Sequence, residues 1–365
     1  MAAGDFSPSQ MPKVLLIQKD IFLNGGRLNV DKNNPRVNTA RAVLENQTAR
    51  PVPVMTNGSC TAVDMTWLKY CDQSVVDCAD GGYTFSCDIT GAEGESVKQT
   101  LTPNICLEKK FSVNDDECND AFTAEMKIAE GMINAKLAIE TELSQVIAAR
   151  LYAGISPASA YPGEEPPGWD LSGTPYQYPG DATKRPLTLS QMYVMSQINR
   201  ITNPVLVGDG SWQADAYLAQ FLNNQGGAIY NEAGLYGQWG RWYFDPIALM
   251  GLNNNVGRLL MFDPNNVILW TKNDIPSSEM SPTMWLPSKS LSRWREPSLI
   301  LKDANGSPLY YDAWMQETCI EGVSGSRRKT YAFQLILRGG FNIGPNACNA
   351  NDSGVYYFEQ DTPTT

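Results

Sequence analysis

The chain of 365 residues contains no histidine, and that absence removes more chemistry than any other feature. Nucleophile systems built on Ser-His-Asp or Cys-His are excluded, as are zinc sites with imidazole ligands. Histidine is also the residue whose ordinary pKa suits proton transfer at neutral pH, so general acid–base catalysis must use other groups. Carboxylate pairs, lysine and Ser-Lys arrangements are the options left. Charged residues are scarce too, at 18% against 42% hydrophobic. A chain so composed either covers its surface with uncharged polar groups or buries surface against partners. No apolar run is long enough to span a membrane, and no CxxC pair, P-loop, dinucleotide fingerprint or EF-hand loop occurs.

What charge there is leans acidic, with a formal net charge of −11. That balance opposes general affinity for nucleic-acid backbones, which needs clustered Lys and Arg. It does not exclude a shell that surrounds nucleic acid without gripping it. Eight cysteines are present, six of them at Cys60, Cys71, Cys78, Cys87, Cys106 and Cys118, with Cys319 and Cys348 apart. The first residues lack a basic region followed by an apolar run, so no signal peptide is expected and reduced thiols are favoured over a disulfide framework.

Along the chain, residues 1–50 read as an extended arm. Val14 to Ile17 is a short strand-like run, followed by the breakers Asn24-Gly25-Gly26 and Asp31 to Pro35. Arg36 to Arg50 is polar, weakly periodic and expected to add little to a core, so removing residues 1–50 should leave a soluble subunit. Residues 51–110 alternate in short β-like runs between turns, including Tyr83 to Ile89, with Gly91 to Gln99 as a hairpin tip. The strongest local signal is a helix from about Asp116 to Tyr152, roughly 50 Å long. Phe122, Met126, Ala129, Ile133 and Leu137 form one apolar stripe on it; Ile128, Met132, Ala135, Ile139, Leu143, Val146 and Ile147 form a second.

Ser156 to Pro186 is interrupted by seven prolines and reads as loop. Helical patterns follow at Leu189 to Ile201 and Ala214 to Asn223, with Pro204 to Gly208 a buried strand between them. Gly257 to Phe262 and Val267 to Trp270 read as strands. Ser298 to Leu301 and Leu309 to Tyr311 flank the turn Asp303-Ala304-Asn305-Gly306, and Tyr331 to Leu337 is a further strand. The tail after Asn349 is polar and should contribute little.

Several groups could carry chemistry. Asp115-Asp116-Glu117 could seed a metal site, although acids opening a helix ordinarily serve its dipole. Arg327-Arg328-Lys329 could meet an acidic neighbour or a phosphate, or form a solvated loop. Trp212, Trp239, Trp242, Tyr243, Trp270, Trp285 and Trp294 could line a sugar cleft, in which Asp245 and Glu232 would act as paired carboxylates. The same aromatics could equally anchor a core or an interface. Asn57-Gly58-Ser59 and Asn305-Gly306-Ser307 match the glycosylation pattern weakly. No catalytic, cofactor-binding or metal-binding residues are assigned.

The order of these parts resembles the tailed-phage major capsid proteins of the Hong Kong 97-type fold. That resemblance implies an α+β fold with an N-terminal arm over 1–50 and a β-hairpin E-loop over 51–110. The spine helix and loop of a peripheral domain would span 111–186, an axial domain 187–297, and returning peripheral strands with the tail 298–365. It implies a bacteriophage structural protein, not an enzyme, that self-assembles through hexamers and pentamers into an icosahedral shell. The shell would enclose double-stranded DNA without sequence-specific binding, in a virion assembled from subunits made in the host cytoplasm. Minor capsid, portal or scaffold proteins would be further partners; no cofactor and no membrane are implied. The competing readings are a phage tail tube or other virion component, an encapsulin-like compartment, a secreted disulfide-rich adhesin, and a secreted Trp-rich carbohydrate-active protein.

Overall fold

The computed structural model describes residues 10–24, 37–48, 52–56, 59–69, 95–114, 123–156, 169–170, 176–178, 185–199, 201, 203–214, 240–252, 257–279, 283–286, 291–321, 327–344 and 353–360. These residues form an α+β fold with three sheets. In chain order the helices are α1 (Met11–Asn24), α2 (Asn38–Asn46), α3 (Ala124–Ala153), α4 (Arg185–Ile198) and α5 (Pro246–Met250). The strands are β1 (Val52–Thr56), β2 (Ser59–Lys69), β3 (Glu95–Leu101), β4 (Ile105–Asn114), β5 (Tyr176–Tyr178), β6 (Val205–Gly208) and β7 (Arg241–Phe244). There follow β8 (Leu259–Phe262), β9 (Val267–Lys272), β10 (Thr283–Leu286), β11 (Leu291–Lys302), β12 (Pro308–Glu321), β13 (Arg327–Ile343) and β14 (Val355–Gln360).

The expected long helix is α3. Thr123 caps its start in an extended conformation, its side chain accepting from the Met126 amide, and Gly154 closes its end. At 30 residues it is about 45 Å long. The second apolar stripe is buried except for the half-buried Val146, whereas Met126 of the first stripe is exposed. Asp115 to Asp120 lie outside the described residues. The one glycine of the helix, Gly131, has a packing reason: a Cβ there would sit 2.4 Å from the Phe111 ring.

Helix α3 lies against β4 and β13 of a six-stranded antiparallel sheet ordered β10-β11-β12-β13-β4, with β9 also paired to β13. Strand β13 has 17 residues, about 56 Å, so helix and strand match in scale. The hairpin between β11 and β12 turns through Asp303 to Ser307 as expected, with Gly306 at φ +80°. The anticipated boundary between 297 and 298 falls within β11, which pairs with β12 on both sides of it.

A second sheet, β5-β14-β8-β6-β7, presents opposite faces to two cores. Val205, Val207, Leu260, Phe262, Val355 and Tyr357 point to the main core around α2 and α3. Leu206, Trp242, Leu259, Met261, Tyr356 and Phe358 point to a core under α4. This alternation is the period-two signature of strands covered on both faces.

Three expectations are corrected. Val14 to Ile17 is helical, because Met11, Val14 and Gln18 fall on one face and bury against α3. Arg36 to Arg50 is not a bystander: α2 wedges between α3 and both sheets, with Ala40, Ala42, Val43 and Leu44 buried. Its polar side chains complete the hydrogen bonding of its neighbours. Asn38 Nδ2 donates to Phe244 O at 2.7 Å, and the Gln47 amide pairs with both the N–H and the C=O of Leu269. The tail is structural as well, since β14 sits inside the second sheet with five of its six residues buried.

The three-stranded sheet β1-β2-β3 occupies the segment expected to form a β excursion. Tyr83 to Ile89 and residues 91–94 of the expected hairpin tip lie outside the described residues, and the rest of that tip, Glu95 to Gln99, is strand β3. Among its residues whose burial is described, only Met65 and Leu101 are buried, against Ile268 and Trp270.

Candidate functional site

The aromatic cleft dissolves into core. Trp212 and Trp242 are fully buried under the second sheet with ring centroids 5.9 Å apart; Trp270, Trp294 and Tyr243 are buried elsewhere. Trp239 lies outside the described residues, and the Trp285 side chain is not described. Asp245 is buried, and its carboxylate is fully engaged. Oδ1 accepts from Ala248 N at 3.0 Å, capping α5, and Oδ2 accepts from Thr39 N and Oγ1 at 2.9 and 2.8 Å. Burial raises its pKa against those hydrogen bonds. Its proposed partner Glu232 lies outside the described residues. A carboxylate so enclosed clasps α2 to α5; it has no path to a glycosidic oxygen.

Arg327-Arg328-Lys329 opens β13, paired with Cys319 to Glu321 of β12, where a loop was expected. Cys106 is a free, exposed thiol on β4; the other cysteines are not described at side-chain level. Asn305 is exposed at the β11–β12 turn, and Asn57 lies outside the described residues. Among the described residues no three His, Cys, Asp or Glu side chains gather into a metal-binding group, and no helix is long and apolar enough to cross a membrane.

Two arrangements stand out that the sequence did not suggest. The first is a buried polar seam joining α1 and α3 to the long sheet. Lys136 of α3 lies 2.5 Å from Glu296 Oε1 of β11 and donates to Gln18 Oε1 of α1 at 2.7 Å. Trp294 Nε1 holds the other Glu296 oxygen at 2.7 Å. One helical turn further, Glu140 Oε1 accepts from Ser298 Oγ and Tyr311 OH, both at 2.5 Å. All these side chains are buried. Burial raises the Glu140 pKa despite both donors and the Lys136 charge, and burial raises Tyr311 well above its ordinary value. The sequence hint was available in principle: Lys136 and Glu140, four apart, sit among the apolar positions of α3.

The second is a concavity of about 440 Å³ on the opposite face of the long sheet. Strand register places Ser112, Ala332, Gln316 and Leu291 in one row across four strands, and Lys110, Gln334, Trp314 and Arg293 in the next. Trp314 thus lies between Gln334 and Arg293 in its row, with Gln316 and Ala332 in the row beside it. Arg293 is held bidentately by Glu279 at 2.8 and 2.9 Å. Among the described residues no carboxylate lines the hollow. Its chemistry suits a laid-on chain segment, with an aromatic shelf and amides to share, and offers no acid–base pair.

No family model matches the chain, and no curated protein matches it. It is similar to several solved structures. That of Mycobacterium phage Adephagia is 12% identical with a TM-score of 0.43, over 89% of this chain and 91% of that one. The capsid of cyanophage P-SCSP1u is 11% identical with a TM-score of 0.39, over 85% and 86%. The capsid of Ralstonia phage GP4 is 12% identical with a TM-score of 0.35, over 84% and 85%.

Proposed function

We propose that this chain is a bacteriophage major capsid subunit that self-assembles into a closed shell around double-stranded DNA. The observation that carries the reading is the three-stranded sheet β1-β2-β3. Among the described residues it pairs with neither larger sheet, and its Met65 and Leu101 pack with Ile268 and Trp270. A sheet of this size is marginal without a covered face, and burial against another subunit supplies one. The element order supports the same reading: β excursion, 30-residue helix, compact second sheet, then long strands returning beside β4. That is the order implied by the Hong Kong 97-type resemblance.

In this reading the projecting sheet lies across an adjacent copy, and the Trp314 hollow is part of the surface offered in return. Many modest contacts of this kind, repeated by symmetry, close a shell. The acidic balance keeps the inner wall from holding the DNA it encloses. The role is structural, and no residue is assigned to catalysis. Negative-stain electron microscopy of the purified or co-expressed protein tests the proposal. Closed particles of uniform diameter are expected, with nuclease-protected DNA in particles from infected cells; rods would indicate a tail component, and persistent monomers would refute assembly.

A further inference from the structure

The three-stranded sheet returns to the body of the molecule through a short link, Thr102-Pro103-Asn104, between β3 and β4. Proline fixes its own φ and holds the residue before it extended, so the link is stiff. Asn104 then extends a ladder. The pairing of β4 with β13 ends at Ile105 opposite Gly339, and Asn104 adds one more rung with backbone and side chain together. Its N–H donates to Gly339 O at 2.9 Å; its Nδ2 donates to Phe341 O and its Oδ1 accepts from Phe341 N, both at 3.0 Å. Arg150, in the last turn of α3, donates from Nη2 to Asn104 O at 2.5 Å and from Nη1 to Phe341 O at 3.5 Å. At the root of the sheet Met65 and Leu101 pack with Ile268 and Trp270. Trp270 lies against β13 because Gly340 opposite it carries no side chain; a Cβ there would sit 2.8 Å from the indole.

We infer that Asn104, braced by Arg150, is a rigid elbow that presets the direction in which the three-stranded sheet projects, and so the angle at which adjacent copies meet. The second half of that statement rests on the capsid reading. The lever is long: β2 has 11 residues, about 36 Å at ~3.3 Å per residue. A tilt of about 8° at its root moves its far end by about 5 Å, one strand spacing. A docked strand displaced that far has lost its partners, so a small freedom at the elbow becomes a large error at the contact. Asn104 is exposed and contributes no apolar surface to the core, so its bonds hold direction more than they hold the fold. Because Arg150 belongs to α3, the elbow also ties the projection to the axis of the long helix. Asn104 is in this sense a positioning residue for assembly.

Two measurements test it. Hydrogen exchange on the unassembled full-length chain, read at the Phe341 amide, should show protection in wild type that falls about tenfold or more in Asn104→Ala. Particle diameters from electron microscopy should be uniform for wild type and spread into mixed sizes and open sheets for Asn104→Ala, with circular dichroism unchanged. Asp245→Ala, which breaks the clasp between α2 and α5, is the control: it should lower particle yield without widening the diameters. Asn104→Ala particles as uniform as wild type overturn the inference, and so does a Phe341 amide that exchanges freely in the wild-type subunit. An equal spread of diameters in Asp245→Ala overturns it too, since general loss of stability would then account for the effect. Wild-type chains that never form particles would overturn the capsid reading instead, and the exchange measurement would still decide the elbow.

Discussion

Replacing Glu140 by glutamine should make the folded chain progressively more stable than wild type as pH rises. The carboxyl is buried, and burial raises its pKa above the ordinary value, outweighing the Ser298 and Tyr311 hydrogen bonds and the Lys136 charge. The folded state therefore binds this proton more tightly than the unfolded state. Stability from that preference is complete below the unfolded pKa, about 4.3, and is lost as pH climbs through the folded pKa. Between those two values the loss is about 1.4 kcal/mol per pH unit for one proton. Glutamine keeps a carbonyl oxygen for Ser298 and Tyr311 but has no proton to lose. Near pH 4 the two proteins should agree within about 1 kcal/mol, the net worth of one altered hydrogen bond. Above that the difference should open in favour of Glu140→Gln with the slope given, then flatten. Urea unfolding followed by tryptophan fluorescence at a series of pH values measures the difference, and other titrating groups cancel between the two proteins. A difference that is flat with pH, or that grows in favour of wild type, would refute the assignment of Glu140 as a carboxyl whose pKa is raised by burial.

Asp245→Ala removes the α5 cap and both bonds to Thr39, and should cost about 2–4 kcal/mol in denaturant unfolding. Gly131→Ala should destabilise by about 1–3 kcal/mol despite alanine's better helix propensity, because its Cβ meets the Phe111 ring; adding Phe111→Leu should recover part of the loss in the same assay. Deleting residues 354–365 removes β14 from inside its sheet and should give insoluble protein, read as the loss of soluble yield on expression. Trp314→Ala should leave circular dichroism and unfolding within about 1 kcal/mol of wild type, since the side chain is only half-buried, while lowering the yield of closed particles.

Elements whose side chains pack by simple periodicity were legible in the sequence. The α3 stripe from Ile128 to Ile147, the strands around Leu259 and Val267, and the β11–β12 hairpin all announce themselves through spacing or turn residues. Helix α2 did not, because its stabilisation lies in Asn38, Thr39, Asn46 and Gln47 answering polar groups far away in sequence. A removal of residues 1–50 takes a core helix with it and should therefore destabilise the subunit. The Trp-rich stretch misled for a related reason: composition shows that aromatics are present, but only the second sheet's two covered faces decide that Trp212 and Trp242 point inward.

The sequence by itself determined the chemistry that is out of reach, through its missing histidine, and the local elements whose pattern repeats every two or 3.6 residues. Tertiary structure alone decided which polar residues are buried together. Lys136 and Glu140 look like ordinary helix charges until α1 and β11 close over them, bringing Gln18 and Glu296 from 118 and 160 residues away. Such a meeting has no signature in the sequence, because each residue's partner is set by how the layers stack and not by its neighbours along the chain.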